Sequence, residues 1–149
     1  MIKVEESIFI QKPVEDVFNF IMAEGNYSRC HSDVTELIEI GPRNMVGSRF
    51  VEVRRFMGQE MHNTLVITEF VPNQKWAAKG IKGPLHCNVR ITCERSNGGT
   101  KFTTCFEGEA NGIFKTAEEI VADELAKSIE YDEAKLKEML EKAKANCHN

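Results

Sequence analysis

The sequence has no apolar run near the ~20 residues that span a bilayer. Its first apolar stretch is broken by Glu5 and Glu6, so no secretory leader is read there. Basic charge is not in excess. The 19 Lys and Arg stand against 23 Asp and Glu, a net charge of −4, whereas a nucleic-acid binder ordinarily shows a basic face. Only 4 prolines and 10 glycines occur, which excludes collagen-like and low-complexity chains. Cysteine is present as Cys30, Cys87, Cys93, Cys105 and Cys147, but an odd count without Cys-x-x-Cys argues against a disulfide framework and a zinc site. Cys87, Cys93 and Cys105 fall in strand-like stretches and read as small core residues. The expectation is a soluble protein of a reducing cytoplasm, with no nucleic-acid partner and no membrane insertion.

Catalytic and metal-binding signatures are also missing. No Ser-His-Asp, Cys-His or His-x-x-x-His arrangement is visible at local spacing. Cys30-His31, His86-Cys87 and Cys147-His148 are adjacent pairs whose side chains diverge, so no metal and no cofactor are expected, and the terminal Cys147-His148-Asn149 reads as frayed. The loop Gly41–Gly47 lacks Gly-Lys-Ser/Thr and cannot cradle a phosphate as a P-loop does. It reads as a turn connection.

What is present is an ordinary globular composition, 42% apolar and 28% charged, over 149 residues. That length suits one domain, 1–149, with one real core. Residues 2–10 are rich in Val, Ile and Phe and read as a strand. Pro13 opens a helix whose Val14, Val17, Phe18 and Ile21 share one face, with Glu15 and Asp16 at its positive end. A second short helix is read around Asn26–Cys30, then a strand at Val34–Ile40. Strands follow at Ser48–Met57, Met61–Val71, Gln74–Ile81, Leu85–Glu94 and Thr100–Glu109. The links between them are too short for anything but antiparallel hairpins. Val89, Ile91 and Cys93 alternate with Arg90, Thr92 and Glu94, and Phe102, Thr104 and Phe106 with Lys101, Thr103 and Cys105, so one sheet face is covered and one is wet.

After Gly112 the period changes. Ile113, Ile120, Val121, Leu125, Ile129, Leu136, Met139 and Leu140 form a helical stripe that predicts about 30 residues of helix. The stripe is interrupted at Asp132 and Glu133. Either carboxylate could reach beneath the helix, or both could be solvated. The curved antiparallel sheet needs a cover, and this helix is the only long amphipathic element. Such a wrap leaves room for a ligand at one end.

The opening strand with Pro13-x-x-x-Val17-Phe18-x-x-Ile21, then Val46-Gly47-Ser48-Arg49-Phe50, Glu69-Phe70-Val71-Pro72, Gly83-Pro84, Gly98-Gly99-Thr100 and Gly112, in this order, resembles the START / birch-pollen-allergen (SRPBCC) superfamily and, within it, the polyketide cyclase/dehydrase-like group. The resemblance spans residues 2–140. It implies the α+β helix-grip fold: about seven antiparallel strands in β-α-α-β6-α order, curved around a long C-terminal helix. It is not specific for an activity.

The resemblance implies a ligand cavity between sheet and helix. Ile21, Phe50, Leu65, Ile67, Trp76, Phe102, Phe106, Ile113 and Leu125 would be its apolar walls, with His31, His62, Arg54 and Thr104 as polar guides. His62, Arg54 and His31 are the catalytic candidates. His86 is expected to point outward. His62 could instead be a hairpin-end histidine in water. For the strand at 48–57 two registers stay open. One turns Phe50, Glu52, Arg54 and Phe56 inward, where the two charges must pair; the other buries Val51, Val53 and Met57. Three functional readings follow. The first is binding of a small hydrophobic, aromatic or polyketide-like molecule by a monomer or homodimer. The second is a cyclase or dehydratase acting on such a molecule. The third is a protein-interaction module like the chaperone activators, which would need an apolar patch on an outer face that reads mostly as Lys, Arg, Glu and Thr.

Overall fold

The computed structural model describes residues 1–110 and 116–146. Gly112, Ile113 and the terminal Cys147-His148-Asn149 lie outside the described residues. The elements are β1 (Ile2–Ile10), α1 (Val14–Met22), α2 (Tyr27–Cys30), β2 (Val34–Ile40), β3 (Arg49–Phe56), β4 (Gln59–Val71), β5 (Lys75–Lys82), β6 (Leu85–Ser96), β7 (Gly99–Ala110) and α3 (Glu118–Asn146). Pro13, in an extended conformation, caps α1, and Val14, Val17, Phe18 and Ile21 bury the face that the spacing predicted.

All seven strands form one antiparallel sheet in the order β1-β7-β6-β5-β4-β3-β2. The β6–β7 hairpin turns on Asn97-Gly98, both at positive φ, a backbone these two residue types adopt readily and one that matches strand twist. Register shifts between Thr64 and Leu65, and again between Ile67 and Glu69, bend β4 against β5. The bent sheet wraps α3, which packs along β1 and touches β7 and α2. This is the helix-grip architecture, α+β.

Two apolar clusters fill the space. One centres on Phe18, Tyr27, Phe50, Trp76, Phe102 and Leu136. The other joins Ile2, Val4, Phe56, Met61, Phe106, Val121 and Leu125. On β3 the open register resolves. Phe50, Glu52 and Phe56 are buried and Arg54 is mostly covered, while Arg49, Arg55 and Met57 are exposed. Val53 is buried on the opposite face. That outer surface is less polar than the sequence suggests, because Ile38 and Ile40 of β2, with Met45 and Val46 of the next loop, are exposed. Among the described residues no helix is long and apolar enough to cross a membrane.

Candidate functional site

Where the two apolar clusters meet, α1, α2, β3–β7 and α3 enclose a cavity of about 120 Å³. For comparison, a dry apolar cavity of roughly 150 Å³ accepts one benzene ring. Its floor is made by inward-facing strand residues: Leu65, Trp76, Val89, Ile91, Phe102 and Phe106. Its roof is the α3 stripe, with Leu125, Ile129 and Leu136. Ile21 closes one side.

One wall is polar, and it is organised around Glu52. The Tyr27 hydroxyl donates to Glu52 Oε2 at 2.7 Å. Arg54 donates from Nε to Oε1 at 3.1 Å and from Nη2 to Oε2 at 3.3 Å, and Asn63 Nδ2 donates to Oε1 at 3.5 Å. Period-two alternation explains why Glu52 and Arg54 share a face, and the β3–β4 register sets Asn63 directly opposite Glu52. Burial alone would push the Glu52 carboxyl up; the Arg54 guanidinium, with hydrogen bonds from Arg54 and Tyr27, outweighs it and holds the group below its ordinary value. Burial, and then the Glu52 charge, raise Tyr27 well above the usual phenol range.

His31, just past α2, stacks on Tyr27 with ring centroids 4.2 Å apart. Its Nδ1 lies 2.8 Å from the Tyr27 carbonyl, which can only accept, so the proton sits on Nδ1 and Nε2 carries the lone pair. Burial and the nearby Arg54 lower its pKa, which keeps the ring neutral. The loop before β2 is tied to α3 at the cavity rim. Ser32 donates to Asp132 at 2.6 Å, and Ser128 donates to Asp33 at 2.7 Å.

On the roof, Glu133 is only 4% exposed, lines the cavity, and its Oε2 has no partner. Burial pushes its carboxyl up to about 8, against the opposing pull of hydrogen bonding from Thr104. On the floor, Trp76 Nε1 is buried and also unpartnered. Burial likewise raises Cys30 and Cys87 to about 11, so these thiols are not activated nucleophiles. Among the described residues no group of three or more His, Cys, Asp or Glu could hold a metal ion.

Of the residues singled out from sequence, Ile21, His31, Arg54, Leu65, Trp76, Phe102, Thr104, Phe106 and Leu125 line this cavity. Phe50 and Ile67 do not; they pack behind it, beside Trp76. Ile113 lies outside the described residues. The cavity-facing placement of His62 is corrected. Its side chain is 65% exposed and lies near Glu60 on the outer face. Met61, Asn63, Leu65 and Ile67 alternate inward along β4, so position 62 must face out. His86 is exposed, as expected. Tyr27 and Asn63 were missed. Parity with Leu65 could have found Asn63; nothing local marks Tyr27.

A family model described as polyketide cyclase / dehydrase and lipid transport matches residues 1–146. No curated protein sequence matches the chain. Among solved structures, a protein from Thermus thermophilus is similar with a TM-score of 0.81 at 16% identity, covering 95% of this chain and 98% of that one. A START superfamily protein from Mycobacterium smegmatis gives 0.78 at 10% identity, with 96% and 99% covered. The di-domain aromatase/cyclase StfQ of the steffimycin biosynthetic pathway gives 0.78 at 14% identity; 97% of this chain matches 52% of that one. At such identities the likeness is one of fold.

Proposed function

The chain belongs to the polyketide cyclase / dehydrase and lipid transport family, and on that premise we propose that it binds a small hydrophobic, aromatic or polyketide-like molecule in the cavity between the sheet and α3. The observation that carries this reading is the cavity itself: apolar floor and roof, with a fixed polar wall at Tyr27, Glu52 and Arg54. A few convergent polar groups in an apolar cavity orient a ligand, while apolar area supplies affinity.

A panel of neutral one- and two-ring aromatic compounds, titrated calorimetrically, tests it. At least one member binds with one-to-one stoichiometry, and Val89→Phe, which fills the floor, weakens it at least ~tenfold without changing the circular dichroism. Failure of the whole panel, or binding indifferent to Val89→Phe, contradicts the reading.

His31 favours a second reading, catalysis. A neutral imidazole with its Nδ1 proton committed offers Nε2 as a base for a proton next to a carbonyl. Deuterium exchange into the methyl group of acetophenone separates the two. Exchange accelerated by the protein and lost in His31→Gln is catalysis; binding without exchange is carriage.

A further inference from the structure

The positive charges on the cavity wall are already used. Arg54 is paired with Glu52. Arg43, at the mouth, is paired with Glu39 and donates to the carbonyls of Met22 and Ala23. Among the described residues lining the cavity, none is an uncompensated cation. Two buried atoms there have no partner: Oε2 of Glu133 on the roof, whose carboxyl is otherwise hydrogen-bonded by Thr104, and the Trp76 indole Nε1 on the floor. Asn63 Oδ1 is also unpartnered, but it lies against Gly83.

An unpartnered buried polar atom is costly, so a ligand able to satisfy it gains affinity from doing so. A buried carboxyl with no cation beside it resists ionisation. It then presents an O–H, a donor, as the indole does. A site with open donors and no free cation selects an uncharged ligand bearing oxygen acceptors, and it disfavours a carboxylate or phosphate.

We propose that Glu133 is a ligand-recognition residue whose carboxylic O–H donates to a carbonyl oxygen of an uncharged ligand of about one ring, with the Trp76 N–H as a second open donor across the cavity. This deepens the cavity-binding reading and rests on it.

Glu133 sits on the stripe between Ile129 and Leu136, both of which line the same cavity. The groups that act on it are Thr104 of β7, Glu6 of β1, and Glu130 on its own helix. The two glutamates both favour the protonated acid. Lys137, one turn further on, is held by the Phe9 carbonyl and Glu141. Other shifted groups of the cavity move away from the window around pH 8. Glu52 and His31 are lowered, while Tyr27, Cys30 and Cys87 are raised.

The test compares three probes of one shape: acetophenone, with a carbonyl acceptor; cumene, with none; and benzoate, the anion. Their dissociation constants are measured by methyl NMR titration at pH ~7, where Glu133 is protonated, and at ~9.5, where it is not. The affinity ratio of acetophenone to cumene is expected to fall about tenfold across that interval. In Glu133→Gln, whose amide still donates, the ratio stays flat; in Glu133→Leu it is low at both. Benzoate binds more weakly than acetophenone at the lower pH. The wild-type carboxyl, followed by carbon-13 NMR, titrates near 8. A wild-type ratio indifferent to pH, a ratio unmoved by Glu133→Leu, a carboxyl that titrates like a solvated glutamate, or tighter binding of benzoate overturns the assignment of Glu133 alone. Failure of all three probes, cumene included, removes the cavity-binding reading itself.

Discussion

Glu52 accepts hydrogen bonds from Tyr27, Arg54 and Asn63, so removing its carboxylate strands a guanidinium among apolar neighbours. Glu52→Leu is therefore expected to cost about 3–5 kcal/mol in urea denaturation, and adding Arg54→Met should recover most of that loss. A cost below ~1 kcal/mol for the single variant would mean that the pair is solvated and that the polar wall is not fixed. The sequence left this pair undecided because β3 offers apolar residues on both faces: Phe50 and Phe56 on one, Val51 and Val53 on the other. Pairing with β4 decides it, since Phe50 lies opposite Leu65 and Glu52 opposite Asn63. Glu133 was half legible. The break in the α3 stripe is plain in the residues, but its burial depends on where α3 crosses β7.

The hairpin from β5 to β6 shows how an element holds the site. Gly83, at φ +129°, lies so close to β4 that an added Cβ would meet Asn63 Oδ1 at 2.5 Å and the His62 carbonyl at 2.9 Å. Gly83→Ala should therefore cost about 2 kcal/mol in thermal or urea unfolding and loosen Asn63, which donates to Glu52. An unaltered midpoint would show that the turn yields freely. Strand positions were legible because the links are short and the side chains alternate. The stretch predicted at Ser48–Met57 is observed at Arg49–Phe56. The register shifts in the β4–β5 pair left no local mark, because a bulge needs one extra residue and no particular residue type. Those shifts bend the sheet toward α3.

At the scale of the whole molecule, the ordered motifs and the change of period after Gly112 made the helix-grip fold legible. The cavity's size was not, because it arises where two core clusters meet without filling the space between them. No local pattern records that gap. Among the described residues, the exposed quartet Ile38, Ile40, Met45 and Val46 offers a second apolar surface that could compete for a hydrophobic molecule. The decisive measurement is an isotope-filtered NOE experiment on the methyl-labelled protein saturated with acetophenone. The account predicts contacts from the ligand to the methyls of Leu65, Ile91, Leu125 and Leu136. Contacts confined to Ile38 and Ile40, or none at all from the interior methyls, would contradict it.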